Sequence, residues 1–114
     1  MKQFSVVFSK SAEIDLEEIV NYYESRNRTF SIELFKKIKA RILELNQTPE
    51  RGRQVPELER QGIQDYRELI EGKYRIVYSV SAERVAVHIL VDSRRNLEEV
   101  LVKKLLSQNE KQSH

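Results

Sequence analysis

Four arginines in the second half of the sequence are the side chains best suited to binding chemistry. Arg67 and Arg75 lie in two stretches rich in β-forming residues, and Arg94 and Arg95 follow a third. Guanidinium groups bind phosphates and carboxylates through paired hydrogen bonds, so a cluster of arginines indicates an anionic ligand or partner. We therefore predict a partner- or phosphate-binding site made by these four arginines together with Lys73.

Side chains that could transfer protons or hold a metal are scarce. The sequence contains no cysteine and two histidines, His88 and His114, which excludes disulfides, thiolate zinc sites and cysteine nucleophiles. We therefore expect no metal and no cofactor. His88 and Asp92 are separated along one predicted strand by about 13 Å, too far for a hydrogen-bonded pair. The simplest interpretation of His88 is a structural residue.

A second interpretation of the arginines requires no ligand. Glu68, Glu71 and Asp92 could neutralise them in surface ion pairs, which contribute little to stability. The whole chain carries 20 basic and 18 acidic residues, a net charge of +2, which does not by itself indicate a nucleic-acid-binding protein. The sequence alone leaves both interpretations open.

Hydrophobic periodicity predicts an α+β domain with the order β-α-α-β-β-β-α. A chain of 114 residues has room for one hydrophobic core of ordinary size. We assign residues 1–106 to this single domain and 107–114 to a flexible polar tail. The predicted strands are 3–8, 66–69, 73–80 and 85–91, the predicted helices are 12–25, 32–45 and 97–106, and 46–65 is a predicted loop.

The second predicted helix supplies one side of the core. Its apolar residues follow at steps of three and four, the spacing of one helical face. We expect the first two helices to form an antiparallel hairpin that packs on one face of a small antiparallel sheet. The predicted buried face of the second helix consists of Ile32, Phe35, Ile38, Ile42 and Leu45.

Alternation along the strands predicts that the arginines share a surface. Pairing the last two strands across the turn between them places Ile76 opposite Ile89 on the core face, and Arg75 then lies on the other, half-open polar face. A three-residue loop at 70–72 places Arg67 beside Arg75. We accordingly expect Arg75→Ala to leave folding nearly intact.

Membrane insertion is not expected. The longest uncharged apolar stretches reach about six residues, whereas about 20 are needed to cross a bilayer. The N-terminal sequence MKQFSVVFSK lacks the hydrophobic region of a secretory signal. We therefore expect a cytoplasmic protein.

Several short segments recur in an order that characterises one family. The sequence contains SAEIDLEEIVNYY at 11–23, PERG at 49–52, YREL at 66–69, YRIVY at 74–78 and VHILVDSRRNLEEVL at 87–101. In this order and spacing they resemble the RelE/ParE superfamily, the small toxins of bacterial type II toxin–antitoxin systems. The resemblance implies a small curved antiparallel sheet with a helical hairpin on one face. It also implies a cognate antitoxin that wraps the toxin in an oligomeric complex.

The superfamily contains two functional branches, which differ at identifiable positions. RelE-like members cleave mRNA on the ribosome, and some ParE-like members inhibit DNA gyrase. Arg75 and Arg95 match two arginines of the ribonuclease pattern. The two lysines of that pattern align near Arg67 and Leu69, and its catalytic tyrosine aligns with Leu101, which cannot transfer a proton.

These differences favour the ParE-like branch. We predict a toxin that inhibits growth by binding a target such as DNA gyrase, has no chemistry of its own and is neutralised by its antitoxin. One alternative is a RelE-like endoribonuclease, with the ribosome and mRNA as partners and with Arg67, Arg75, Arg95 and His88 as catalytic candidates. Another is a non-toxic protein-binding module whose arginines dock a partner.

Overall fold

The computed structural model describes residues 3–100 and 102–104. In chain order the elements are β1 (Ser5–Phe8), α1 (Lys10–Glu24), α2 (Arg28–Leu43), a 3-10 turn (Glu44–Asn46), β2 (Arg53–Gln54), α3 (Pro56–Glu59), β3 (Tyr66–Glu71), β4 (Tyr74–Ser81) and β5 (Arg84–Asp92). Residues 97–100 and 102–104 are also helical. The α+β class and the N-terminal helix hairpin are confirmed. The predicted tail at 107–114 and the end of the helix predicted for 97–106 lie outside the described residues.

Both long helices begin at a short polar side chain. Ser9 caps α1 and Asn27 caps α2, each accepting a hydrogen bond from the backbone N–H three residues later, at 3.0 and 3.1 Å. Such caps satisfy N–H groups that have no partner within the helix. Ser31 on α2 then donates its hydroxyl to the Val20 carbonyl on α1 at 2.9 Å, which ties the two helices together.

The buried face of α2 differs from the predicted one. Leu34, Ile38 and Ile42 are buried, whereas Ile32 and Phe35 are 47% and 37% exposed. A step of four residues returns nearly to the same side of a helix, but two steps of three place Ile32 about 120° away from Ile38. Apolar spacing therefore identified the helix and assigned two of its apolar residues to the wrong face.

The sheet has five strands in the order β1-β5-β4-β3-β2. Strands β3 to β5 form the expected antiparallel meander, and β2, which lies in the predicted loop 46–65, pairs antiparallel with β3. The edge strand β1 instead lies parallel to β5, with Ser5 opposite Arg84 and Phe8 opposite Val87. The sheet is therefore mixed, because the chain crosses over through the helix hairpin between β1 and the remaining strands.

The turn between β3 and β4 is tighter than predicted. Glu71 pairs with Tyr74, so the turn contains the two residues Gly72 and Lys73 rather than the predicted loop at 70–72. Gly72 has φ of 59°, and a positive φ at the first central position is what glycine supplies in a type II′ turn. The strands are consequently displaced from the predicted register.

Strand β5 contains a bulge at His88. Tyr78 pairs with Val87, as predicted, but Val77 pairs with Ile89, so His88 is the extra residue. Ile76 accordingly lies opposite Leu90, and its predicted pairing with Ile89 is wrong. After the bulge, successive side chains again alternate between the two faces of the sheet. A strict period-2 pattern cannot predict the extra residue that shifts this alternation.

Two hydrophobic clusters lie on the two faces of the sheet. The larger one packs the sheet against α1 and α2. The second lies beneath the segment 55–63, which was predicted as loop and contains α3, so the predicted half-open polar face is in fact covered. The buried residues of the second cluster are Val55, Leu58, Val77, Ile89, Val91 and Leu97. Within the described part of the chain, no helix is both long and apolar enough to span a bilayer.

The corrected face of α2 leads to a stability prediction. Ile38→Ala should lower the free energy of unfolding by about 2–5 kcal/mol, because it removes a fully buried side chain from the larger cluster. Ile32→Ala is the matched control, and we expect a change within about 0.5 kcal/mol at this exposed position. Urea unfolding measures both, and equal losses would contradict the assigned face.

Candidate functional site

Arg75 lies in a buried ionic cluster on the covered face of the sheet. Its Nε donates to Glu68 Oε1 at 2.6 Å, and its two Nη atoms donate to both oxygens of Glu57 at 2.8 and 2.9 Å. Arg75 is 7% exposed and Glu68 is 1% exposed. Arg53 supplies a second cation, with its Nε at 2.7 Å from Glu68 Oε2. Two guanidinium groups and two carboxylates therefore neutralise one another.

The electrostatics of this cluster favour the charged forms of Arg75 and Glu57. Burial by itself lowers the pKa of the Arg75 guanidinium, but the hydrogen bonds that it donates to Glu57 and Glu68 raise this pKa above its ordinary value. The hydrogen bond from Arg75 in turn lowers the pKa of Glu57, against the opposing effect of burial. Glu57 occupies Arg75 in the bidentate geometry that a phosphate would use. An incoming anion would have to displace a carboxylate already bound in the protein.

Arg67 lies on the opposite face of the sheet from Arg75. It pairs with Tyr78, whereas Ile70 lies opposite Arg75, so the predicted placement of the two arginines side by side is wrong. The physical reason is the two-residue turn, which shifts the register and reverses the face that Arg67 occupies. Its Nη1 donates to the Gly52 carbonyl at 2.7 Å, so Arg67 holds a loop.

That loop, the PERG segment at 49–52, is fixed to the sheet by the Tyr78 hydroxyl. Gly52 N donates to this hydroxyl, which donates to the Pro49 carbonyl, both at 2.8 Å. Burial raises the pKa of Tyr78, so its hydroxyl stays protonated and can donate. A Cβ at position 52 would lie 2.5 Å from the hydroxyl oxygen. The close approach therefore requires glycine.

Lys73, Arg94 and Arg95 are brought together, as predicted. They line one cleft of about 330 Å³ between α1, the ends of β4 and β5, and the C-terminal helical residues. Asp92 lies among them, with Oδ2 at 2.8 Å from Arg94 Nη2 and 3.8 Å from Lys73 Nζ. Hydrogen bonds from Arg94 lower the pKa of Asp92 to about 2, so it is ionised at neutral pH. Among the described residues Arg95 has no ion pair.

The same cleft is closed on one side by a charged contact that the sequence did not indicate. Asp15 is buried on α1 and accepts a hydrogen bond from Leu90 N at 3.1 Å. Its other oxygen pairs with Lys104 of the C-terminal helical residues. This contact joins α1, β5 and the C-terminal helical residues at the wall of the cleft.

Aromatic residues at the tip of the helix hairpin adjoin the cleft. The Tyr23 ring contacts the rings of Tyr22 and Phe30 edge to face, at centroid distances of 4.9 and 4.8 Å. Arg26 stacks its guanidinium over the Tyr22 ring at 4.1 Å. Lys73 Nζ lies 5.5 Å from the Tyr23 centroid, which connects the aromatic tip to the cationic cleft. Apolar spacing treated Tyr23 as core and gave no signal for this surface.

His88 is bound to neighbouring side chains rather than to the arginines. Its Nε2 lies 2.7 Å from the Ser79 hydroxyl, and its ring contacts Tyr66 at a centroid distance of 5.4 Å. The candidate ribonuclease residues are thus dispersed, because Arg67 holds a loop, Arg75 is buried and Arg95 lies in the cleft. Across residues 3–100 and 102–104, no three His, Asp or Glu side chains are placed to bind a metal ion.

An apolar groove of about 360 Å³ lies on the other side of the hairpin. Phe8 from β1, Leu16 and Val20 from α1 and Phe35 from α2 form its apolar lining, with Glu13, Glu17 and Lys39 beside them. Phe35 is one of the residues that the sequence assigned to the core. Phe35 is 37% exposed and lines this groove, so its predicted place in the core is wrong.

Comparison with known proteins identifies the family. A family model described as the ParE toxin of type II toxin–antitoxin systems, parDE, matches residues 6–97. The chain belongs to the ParE toxin family. No curated protein matches it. The matched range includes the helix hairpin, nearly the whole sheet and every residue that lines the cleft except Lys104.

Solved structures share the fold of this ParE-family chain. One, from the chromosomal ParDE toxin–antitoxin system of P. aeruginosa, has a TM-score of 0.65 and 16% identity, and covers 81% of this chain and 98% of that one. Another, from the RelBE2 toxin–antitoxin complex of Mycobacterium tuberculosis, has a TM-score of 0.60 and 17% identity, and covers 81% and 93%. The confirmed resemblance is therefore to the RelE/ParE superfamily, with the family itself given by the ParE model.

The burial of Arg75 reverses the sequence-based expectation for its replacement. Arg75→Ala should lower the free energy of unfolding by about 3–5 kcal/mol, because Glu57 and Glu68 lose a buried cation. Arg94→Ala is the control, since Arg94 is exposed and its loss should change stability little. Urea unfolding of both variants at neutral pH measures the difference. An Arg75→Ala protein as stable as Arg94→Ala would contradict a structural role.

Proposed function

We propose that this ParE-family toxin inhibits growth by binding an essential target, DNA gyrase, without chemistry of its own, and that a cognate antitoxin neutralises it. The observation that carries the proposal is the ionic cluster around Arg75. In the ribonuclease branch the arginine at this position binds phosphate. Here both of its Nη atoms are engaged by Glu57, which argues against phosphate binding at this position.

The remaining candidates for proton transfer also favour binding over cleavage. Cleavage of RNA requires a base for the ribose 2′-hydroxyl and an acid for the leaving oxygen. Arginine is a poor base and leucine has no titratable group, so positions 67, 69 and 101 supply no proton acceptor. Burial raises the pKa of Tyr66, which makes its hydroxyl a poorer base at neutral pH. His88 remains, in contact with Ser79 and Tyr66.

Gyrase inhibition can be tested directly with purified protein. We expect the toxin to inhibit supercoiling at concentrations near those of the enzyme, and its antitoxin to restore supercoiling. Unchanged supercoiling at toxin concentrations that stop growth would show that gyrase is the wrong target. Absence of growth arrest on expression would instead favour the non-toxic binding module.

A double variant separates binding from ribonuclease activity. Tyr66→Phe with His88→Gln removes the two remaining candidates for proton transfer while keeping side chains of similar size. We expect it to arrest growth as the unchanged toxin does, because target binding needs no proton transfer. The melting temperature of the variant controls for folding. Loss of growth arrest in a folded variant, with new mRNA 5′ ends produced only by the unchanged toxin, would support the endoribonuclease.

The apolar groove between the helices is the proposed contact for the antitoxin. Both similar solved structures are described as toxin–antitoxin systems or complexes, which supports a partner of this kind. Phe8, Leu16, Val20 and Phe35 line the groove, and apolar side chains of a helical or extended antitoxin segment could fill it. Burying this lining would remove apolar surface from water, which stabilises association.

The groove assignment predicts a toxin variant that escapes its antitoxin. Phe35→Asp should weaken antitoxin binding at least about tenfold, because it introduces a charge into the apolar lining. Leu43→Asp is the matched control, being an exposed residue of the same helix outside the groove. Calorimetry with the product of the adjacent small antitoxin gene measures both affinities. Equal weakening by the two variants would place the antitoxin elsewhere.

A further inference from the structure

We propose that the tip of the helix hairpin and the adjoining cleft form a binding surface for single-stranded nucleic acid. This surface, called the hairpin-tip surface below, consists of Tyr22, Arg26 and Phe30 at the tip, Arg28 at the start of α2, and Lys73 and Arg95 in the cleft. The proposal goes beyond gyrase inhibition and does not depend on it. It concerns a different part of the molecule from the apolar groove and from the buried Arg75 cluster.

The aromatic part of the surface offers stacking faces to solvent. Tyr22 is 53% exposed and Phe30 is 44% exposed, and both contact the partly buried Tyr23 ring. The Arg26 guanidinium lies over one face of the Tyr22 ring, with its carbon 4.1 Å from the ring centroid, and is itself exposed, so a base could contact the guanidinium on that side. Unpaired bases stack on aromatic rings and on guanidinium planes. Bases within a duplex are already stacked and cannot use such a platform.

The cationic part of the surface exceeds its local counter-ions. Lys73 and Arg94 share the single carboxylate of Asp92, which leaves excess positive charge at that edge of the cleft. Arg95, and Arg28 at the start of α2, have no ion pair among the described residues. Phosphates of a flexible strand could contact these side chains while its bases stack on the tip.

The combination of rings and cations favours a nucleic acid over an acidic peptide. Carboxylates of a peptide would satisfy the arginines, but they would make no use of the exposed faces of Tyr22 and Phe30. A single strand supplies flat rings and anions at every repeat. Glu18, which lines the cleft, would repel any anion there. Removing its negative charge should therefore strengthen binding of a nucleic acid.

Binding is measured by the anisotropy of labelled strands of about twelve nucleotides, within the range that a small surface can engage. Oligo-dT and oligo-U distinguish DNA from RNA, and a duplex and a poly-glutamate peptide of similar length are the competing ligands. The full toxin is titrated at salt concentrations from about 50 to about 200 mM. We expect saturable binding of at least one single strand, weaker binding of the duplex, and a loss of affinity with added salt.

Aromatic variants test the stacking platform. Tyr22→Leu should weaken binding about fivefold or more, because it keeps an apolar side chain and removes the ring. Tyr22→Phe is the matched control and should stay within about twofold, since the ring is retained. Equal affinities of the leucine and phenylalanine variants would overturn the stacking role.

Charge variants test the phosphate contacts. Arg95→Ala should weaken binding and reduce the slope of log affinity against log salt by about 0.7. Arg84→Ala, an exposed arginine at the opposite end of β5, should change neither quantity. Glu18→Gln should strengthen binding. The proposal is overturned if no strand binds at about 50 mM salt, if the duplex or poly-glutamate binds as tightly as the strands, or if Arg84→Ala matches Arg95→Ala.

Discussion

The buried pairing of Arg75 with Glu57 and Glu68 is the interaction on which much of this structure depends. Glu68 lies on β3, Arg75 on β4 and Glu57 on α3, so one guanidinium joins two strands to the segment that covers them. A slip of one residue between the strands would move one member to the other face and leave charges buried without partners. The ionic cluster thus specifies the register and holds the cover over the second hydrophobic cluster.

Periodicity predicted the two long helices, the three long strands and the α+β class because those features depend on local spacing. The register of the strands depended on two single residues that spacing cannot assess. Gly72 allows a two-residue turn, and His88 is the extra residue of the bulge in β5. Near this bulge, the backbone N–H of Leu90 donates a hydrogen bond to Asp15 on α1, which is distant in the sequence. The turn and the bulge each reverse the sheet face that the following residues occupy.

The candidate site was predictable only where the positions of its residues do not depend on strand register. Lys73 lies in the turn between β3 and β4, and Arg94 and Arg95 follow β5 at the same end of the sheet, so any register brings the three near one another. The positions of Arg67 and Arg75 required the correct register, and the neutralisation of Arg75 required Glu57, which lies in a segment without periodicity. Two of the carboxylates named from the sequence do pair with these cations, Glu68 with Arg75 and Asp92 with Arg94, whereas Glu57 was not foreseen.

The parallel pairing of β1 with β5 has a consequence for how the protein is made. Ser5 pairs with Arg84, so β1 leaves the ribosome long before the strand that it needs. The helix hairpin emerges in the same interval, without the sheet whose residues complete its core. Contacts between such distant segments form slowly and late. A nascent chain therefore presents no finished partner surface until translation has passed β5, which delays the appearance of a functional toxin.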